Sequence, residues 1–245
     1  MDAVVRQRHV RGIFPGYSLD HQAKAQKTQL DARHAGDRNN GAICKHNNKP
    51  RPNFMNKPLR KSDRQHTIKL FDGEVFQLRY VRPDDGPHLV EMFSHASAQD
   101  IHFRLLGAAH DFAGQMAEKF THLDPETEVA IVATTLPDSG PEEIFGIVHL
   151  AQAHPDSDTA EYDIMVRSDF KHHGLGYRLM TEILQCARRR HLNVVTGLIS
   201  ADNFAMLQMA HELGFLSQRT EDNDVEVRLD FAEFDARLEA GLAAD

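Results

Sequence analysis

The pattern of apolar and polar residues changes near residue 67. Before that point no apolar period is sustained, and turn-forming stretches at residues 39–41 and 49–52 interrupt any helix that starts there. From Thr67 onward, alternating residues predict strands at 67–70 and 74–81, joined by a hairpin turn at Asp72-Gly73. We therefore expect a disordered extension over residues 1–66, an ordered domain over 67–232 and a short C-terminal helix or tail over 233–245.

Helical periods and strand alternation continue through the ordered domain. The predicted helices cover residues 82–95, 97–106, 111–120, 173–190, 203–213 and 232–243. The predicted strands after the hairpin cover residues 129–133, 144–150, 160–167, 192–199, 215–218 and 225–231. Antiparallel strands followed by a β-α-β-α-β order indicate one α+β, or mixed α/β, domain, and not a doubly wound parallel sheet.

Composition limits the class of protein. A hydrophobic share of 41% and a mean hydropathy of −0.49 are typical of a chain with a core and a polar segment. No apolar run approaches the roughly 18 residues that span a bilayer, and the first residues lack the apolar core of a signal peptide. Cys44 and Cys186 form no metal-type pair. We therefore expect a cytoplasmic protein with two reduced thiols and no membrane contact.

Charge is distributed unevenly along the chain. Residues 1–66 contain 14 basic and 5 acidic residues, whereas the remainder contains 14 basic and 31 acidic ones, a balance of −17. This asymmetry predicts a basic arm on an acidic domain. The arm either binds nucleic acid or an acidic partner, or is an unstructured leader upstream of a second possible start at Met55. The leader is favoured, and nucleic-acid binding is not expected except through this arm.

The strand at residues 160–167 leads into a glycine-rich segment, Lys171-His172-His173-Gly174-Leu175-Gly176, with Tyr177 and Arg178 at the helix start. Unpaired backbone N–H groups in the first turn of a helix, together with the helix dipole, favour a bound anion. The glycines allow a pyrophosphate to approach the backbone. The segment therefore predicts a phosphate-binding loop.

Two common phosphate-binding motifs do not fit this segment. A Walker A loop requires Gly-Lys-Ser/Thr, which does not occur here. The dinucleotide fingerprint requires a third glycine at the position of Leu179, and an acid within residues 192–199, and both are missing.

The hexad resembles the Arg/Gln-x-x-Gly-x-Gly/Ala signature of the GCN5-related N-acetyltransferase (GNAT) superfamily. Asn203-x-x-Met206 and the following Leu213-Gly214-Phe215 are similar to a second conserved segment of that superfamily. The resemblance covers roughly residues 76–231. It implies a GNAT-type fold with a central, mostly antiparallel sheet flanked by helices. It also implies acetyl-CoA as co-substrate, with its pyrophosphate held by the backbone of residues 171–176.

Four further segments are similar to the bacterial protein lysine acetyltransferases that regulate acyl-CoA synthetases. They are residues 80–85, residues 97–107, Asp124-x-x-x-Glu128-x-Ala130 and Ala160-Glu161. The resemblance implies an acetyl-CoA-dependent N-acetyltransferase that acts on a protein lysine, with an acyl-CoA synthetase as one candidate partner. Two alternatives stay open: a small amine or amino acid acceptor, and a non-catalytic coenzyme A sensor or adaptor. The nucleotide-binding or ligase-like domain often fused to such enzymes does not fit the first 66 residues.

Amide formation requires a neutral amine, and a free lysine with a pKa near 10.4 is neutral in only about one molecule in 2,500 at pH 7. A nearby carboxylate can take the proton. In the resembling enzymes a glutamate at the place of Glu161 is the general base. Alternation puts Asp163 and Met165 on the same face as Glu161, which we expect to be polar, opposite the core face. Asp163 is therefore a second candidate, either as a substitute base or through like-charge repulsion.

The resemblance also implies that backbone groups of Met165, Val166 and Arg167 hold the thioester carbonyl and the pantetheine arm. Lys171 stands where relatives have Arg or Gln, which keeps the charge but loses the planar fork of donors. His172 and His173 either contact phosphate or are solvated turn residues. Two adjacent histidines form no chelating site, so no metal is expected.

The general acid is unassigned by the sequence. Many superfamily members use a tyrosine at the position that Ala210 occupies here.

Overall fold

The computed structural model describes residues 65–70, 72–105, 112–220 and 224–242. The predicted disordered extension lies outside the described residues, apart from Gln65 and His66, which begin the first strand. Gln65 and His66 therefore belong to a described strand, although the prediction assigned them to the extension. Within the described residues, no helix combines the length and apolar character needed to cross a membrane.

Every predicted strand and helix is present, with ends that differ by a few residues. The strands are β1 (Gln65–Lys69), β2 (Val75–Tyr80), β3 (Glu128–Thr134), β4 (Ile144–Gln152), β5 (Thr159–Val166), β6 (Val194–Ser200), β7 (Leu216–Arg219) and β8 (Asp224–Asp230). The helices are α1 (Gly86–Ser94), α2 (Ala98–Leu105), α3 (Phe112–Thr121), α4 (Leu175–Arg189), α5 (Phe204–Glu212) and α6 (Phe231–Leu242). Short 3₁₀ turns at Pro83–Asp85 and Ser168–Phe170 precede α1 and the α4 loop.

The strands form one sheet in the order β1-β2-β3-β4-β5-β6-β8-β7. Neighbouring strands are antiparallel except β5 and β6, which are parallel. A parallel pair needs a crossover connection, and α4 supplies it. The predicted mixed fold with a mostly antiparallel sheet is confirmed.

Helices cover both faces of the sheet, so the domain has two cores. On one face, the predicted apolar side of α4 is buried, including Leu179 and Ile183. On the other face, α1 and α3 bury Phe93 and Phe120 against β3 and β4. Met165 is buried in this second core. The face of β5 that was expected to be polar therefore carries Glu161 and Asp163 at one end only. At its other end, α1 and α3 cover the buried Met165.

The parallel pair β5–β6 is short. Its register pairs Thr159 with Val194, Ala160 with Val195 and Glu161 with Thr196, and then stops, although both strands continue to Val166 and Ser200. The gap that opens between β5 and β6 after the Glu161–Thr196 pair is called the fork below. The fork exposes strand edges in the middle of the sheet, where a ligand can reach backbone groups.

Tyr162 and Gly197 are the first residues beyond the last pair of the fork. The Tyr162 side chain is buried, and its ring lies directly against Gly197: a Cβ on Gly197 would be 2.5 Å from a ring carbon. The ring also makes an edge contact with Phe215, with 5.5 Å between centroids. A glycine on β6 thus makes room for an aromatic ring from β5 where the two strands part.

Candidate active site

The two predicted carboxylates lie on β5 beside the fork. Glu161 belongs to the last β5–β6 pair and stands opposite Ala151 of β4, and Asp163 stands opposite His149 of β4. Both side chains are half-buried and share one face of the strand. The structure therefore brings the predicted pair together at the point where the sheet opens.

Met165, Val166 and Arg167 differ in whether their backbone N–H groups point into the sheet or towards the fork. The backbone N–H of Arg167 donates to the Phe145 carbonyl of β4, 2.9 Å away, so it is used within the sheet. Successive backbone groups of a strand point to opposite sides, and the N–H of Val166 therefore points towards the fork. Met165 is buried and forms a wall of the second core. Of the predicted carbonyl-binding groups, the Val166 N–H is the one whose direction suits that role.

The Arg167 side chain is held by the protein itself. Its guanidinium donates to both Asp169 oxygens, at 3.1 and 2.7 Å, and to Glu143, at 3.0 Å. It also lies over the Phe145 ring, 4.9 Å from the centroid. The hydrogen bond with Asp169 is the largest cause of the raised pKa of Arg167. This side chain therefore stiffens the turn after β5.

The start of α4 is open to an anion. Gly174, the N-cap residue, has the left-handed φ of 87°, and no side chain caps the first turn. Tyr177 and Arg178 are exposed. A Cβ on Gly176 would meet only ordinary contacts, the nearest being Met209 and Val166 at 3.8 Å. The first turn thus has no side-chain cap, and its backbone N–H groups fit the expected pyrophosphate.

Lys171 is engaged by an acid that sequence reasoning missed. Its Nζ forms an ion pair with Asp100 of α2, and the Ser168 hydroxyl donates to the same carboxylate. The Ser97 hydroxyl is a third donor, at 2.8 Å. Burial works to raise the pKa of Asp100, but the hydrogen bonds from Lys171, Ser168 and Ser97 outweigh it and lower that pKa. The charge of Lys171 is therefore shared with Asp100, and α2 is tied to the loop before α4.

The two histidines of the loop differ. His172 is exposed and has a left-handed φ of 67°. His173 bonds through Nδ1 to Asp72 of the β1–β2 turn, at 2.6 Å, and its ring stacks on Phe170 at 4.6 Å between centroids. The hydrogen bond with His173 lowers the pKa of Asp72. His173 thus fastens the loop to the hairpin, and His172 lies exposed beside it.

Metal ligands do not gather in the part of the chain that the structure describes. No group of three or more His, Cys, Asp or Glu residues there could hold a metal ion.

Asn203 and Met206 belong to the start of α5, beside α4. The Asn203 side chain accepts a hydrogen bond from the Met206 N–H, at 3.3 Å, and so caps the helix. Met209, three residues further on, would lie 3.8 Å from a Cβ added at Gly176. The predicted second segment therefore lies next to the first, although the Asn203 oxygen serves the helix. Ala210 is buried and offers no hydroxyl, so the general acid stays unassigned.

A buried histidine faces the carboxylates of β5. His149 of β4 is 2% exposed, and its Nε2 lies 3.1 Å from Oε1 of Glu128 on β3. Burial lowers the pKa of His149, partly offset by the bond to Glu128. Burial alone would raise the pKa of Glu128, but the hydrogen bonds from His149 and from the Asp124 N–H lower it. The sequence predicts His149 only as a strand residue, although alternation along β4 places it on the same face of the sheet as Asp163.

The sequence of the chain is similar to that of known acetyltransferases. The sequence model of the family described as "Acetyltransferase (GNAT) domain" matches residues 76–216, more than half of the chain. The chain is also similar to an acetyltransferase of Pseudomonas aeruginosa, with 27% identity over 158 residues. That match covers 64% of this chain and 84% of the relative.

Two solved structures share the fold. The GNAT domain of S. lividans PAT has a TM-score of 0.61 and 22% identity, covering 68% of this chain and 97% of that one. An uncharacterised protein from Bacillus halodurans has a TM-score of 0.53 and 13% identity, covering 71% and 94% respectively. At these identities the likeness concerns the fold.

Proposed function

Because this chain belongs to the GNAT acetyltransferase family, we propose that it transfers the acetyl group of acetyl-CoA to the side-chain amine of a lysine in a protein. The family establishes the coarser statement, an acetyltransferase that uses acetyl-CoA. The identity of the acceptor and the roles of individual residues are the proposal.

The position of Glu161 is the observation that carries the proposed chemistry. It is the last β5 residue paired with β6, so its carboxylate stands where the strands part. Glu161 accepts a proton from the acceptor ammonium, directly or through water, and leaves a neutral amine that can attack. Asp163, two residues along the same face, is the alternative acceptor of that proton.

Other residues hold the donor in this proposal. The backbone at Lys171–Gly176 binds the pyrophosphate, and the Val166 N–H, which points into the fork, binds the thioester carbonyl. Acetyl-CoA supplies an activated acetyl group, so the protein has to align it with the amine and accept a proton. The open first turn of α4 supports this arrangement, since the chain itself places no side-chain cap there.

A protein lysine is favoured as acceptor for two reasons. Residues 67–245 carry a net charge of −17, and an acidic domain attracts a cationic partner surface and speeds its association. In addition, the segment similar to protein lysine acetyltransferases includes Ser97 and Asp100, which contact the loop before α4. That segment is therefore joined directly to the loop that binds the donor in this proposal.

The test measures thiol release from acetyl-CoA and acetylation of lysines by mass spectrometry, with purified protein and a lysate as acceptor source. Glu161→Gln should lower kcat roughly 10²- to 10⁴-fold and leave the Kd for acetyl-CoA unchanged. If Asp163→Asn lowers kcat more than Glu161→Gln does, Asp163 is the base. Glu239→Gln, at an exposed position on α6, is the matched control and should behave as wild type.

Two results would contradict the proposal. Acetylation of small amines without any acetylated protein lysine would exclude the proposed acceptor. Full activity of both carboxylate variants, Glu161→Gln and Asp163→Asn, would exclude the proposed chemistry.

A further inference from the structure

Three polar side chains form a row across the central strands, on the face of the sheet that carries Glu161. Glu128 lies on β3, His149 on β4 and Asp163 on β5. Glu128 and His149 are joined at 3.1 Å, and His149 and Asp163 are directly opposite each other in the β4–β5 register. Directly opposed residues on one face of an antiparallel pair have Cβ atoms about 5 Å apart. The row therefore leads from the β5 carboxylates into the protein.

The ionisation of the row defines the tautomer of His149. The lowered pKa of Glu128 keeps this carboxyl ionised, so that it can only accept a hydrogen bond. The lowered pKa of His149 keeps its ring neutral near pH 7. The shared proton must then be on Nε2, and Nδ1 carries a lone pair. Because the two nitrogens of an imidazole point in nearly opposite directions, a ring that donates towards β3 turns Nδ1 towards β5.

We propose that His149 is a positioning residue, oriented by Glu128, that receives the proton lost by the acceptor amine. Asp163 passes this proton on, and Nδ1 of His149 accepts it. This inference rests on the proposed function. The N–H bond of the ammonium breaks at the β5 carboxylates, and a new N–H bond forms at Nδ1. The imidazolium then stands between two ionised carboxylates, Glu128 and Asp163. When product leaves, the proton returns through Asp163 to water and His149 is neutral again.

The charges around His149 support a temporary proton site. Glu128 on β3 and Asp163 on β5 favour the imidazolium, whereas Lys119 on α3 and burial oppose it. The edge of the Phe120 ring, 5.3 Å away between centroids, closes the side towards α3. Because these effects oppose each other, the His149 ring can take up a proton during the reaction but is neutral before and after it.

The test compares His149→Gln with wild type. Glutamine can still donate to Glu128 but has no basic nitrogen. We expect kcat to fall roughly tenfold, less than for loss of a direct base, with the KM for acetyl-CoA unchanged. We also expect the decline of kcat at low pH, where His149 becomes protonated, to disappear in the variant. His154→Gln, at an exposed position in the β4–β5 connection, is the control and should keep the wild-type profile.

A second measurement covers the case in which His149→Gln does not fold. Nitrogen-15 NMR of the histidine rings of the wild-type protein should find His149 with a proton on Nε2 and none on Nδ1 at neutral pH. A proton on Nδ1 would overturn the proposal.

The experiments distinguish a wrong proton path through His149 from a wrong proposed function. If folded His149→Gln keeps the wild-type kcat and pH profile while Glu161→Gln is inactive, the proton path through His149 is wrong. The proposed function would then still stand. A wild-type protein that acetylates no lysine would refute the proposed function, and the tautomer measurement would still decide the orientation of His149.

Discussion

Replacement of Gly197 by alanine tests whether the Tyr162 ring and a glycine on β6 together shape the fork. The new Cβ would lie 2.5, 2.7 and 3.0 Å from three carbons of the ring. The Tyr162 side chain is 6% exposed and already in contact with Phe215. A rigid, buried ring has little space into which it can move, so one of the two strands must shift.

The expected magnitude is the balance of two effects. Added methylenes in a well-packed core cost typically about 1–3 kcal/mol, whereas a glycine-to-alanine change within a strand gains roughly 0.5–1 kcal/mol. We expect a net loss of about 1–2 kcal/mol in the free energy of unfolding. For a domain of this size each kcal/mol corresponds to about 2–4 °C in Tm. Since the strands at the fork have to move, the affinity for acetyl-CoA should also fall.

The assay is thermal unfolding combined with calorimetric titration of acetyl-CoA. Gly86→Ala is the matched control, because a Cβ there would meet only the Thr121 methyl at 3.9 Å. Tyr162→Leu, alone and with Gly197→Ala, completes a double-mutant cycle. If the ring is the obstacle, the cost of Gly197→Ala should vanish in the leucine background, with a coupling energy of about 1–3 kcal/mol.

Two results would contradict this expectation: a Gly197→Ala protein as stable as wild type, or a cost of Gly197→Ala that persists when the ring is absent. Either result would mean that Tyr162 does not occupy the space beside Gly197.

Three further outcomes are expected. Gly174→Ala should cost roughly 1–2 kcal/mol, because its φ is left-handed, and weaken acetyl-CoA binding in calorimetry, whereas Gly176→Ala should not destabilise the protein. Asp85→Ala should cost about 1.5–3 kcal/mol, measured by chemical denaturation, since the buried Arg79 loses its two bonds to Asp85 and keeps its ion pair with Glu142. The folded pKa of His149 is lowered, so its contribution to stability is complete above the unfolded value of about 6.5. That contribution is lost as pH falls towards the folded pKa. The difference in free energy of unfolding between wild type and His149→Gln should therefore change between pH 7 and pH 5, which denaturation at each pH measures. No change with pH would contradict a neutral, buried ring.

The local parts of the fold were predictable because each depends on neighbours in sequence. Alternation identified β5 and placed Glu161 and Asp163 on one face, and the apolar period of α4 matched its buried side. The glycines marked the start of α4, where Gly174 takes a conformation that other residues avoid. The helix began at Leu175 instead of residue 173, because the left-handed Gly174 interrupts the helical backbone.

Contacts between distant segments were not predictable from local patterns. The ion pair of Lys171 with Asp100 joins residues 71 positions apart, and nothing around either residue indicates the other. The bond of His173 to Asp72 spans 101 positions. The sequence alone gave Lys171 a place in the loop signature and left His172 and His173 open between phosphate contact and a solvated turn, whereas the fold pairs Lys171 with Asp100 and His173 with Asp72.

Local sequence patterns specify the list of elements, the glycine-rich helix start and the placing of two carboxylates on one strand face. The separation of β5 and β6 after Glu161, the contact of Tyr162 with Gly197 and the position of His149 opposite Asp163 come from the assembled sheet. These three features depend on strand register. A shift of one residue between β4 and β5 would turn every side chain of β5 to the other face, and that choice is made by the packing of α1, α3 and α4 on the two sides of the sheet, not by the residues of the strand alone.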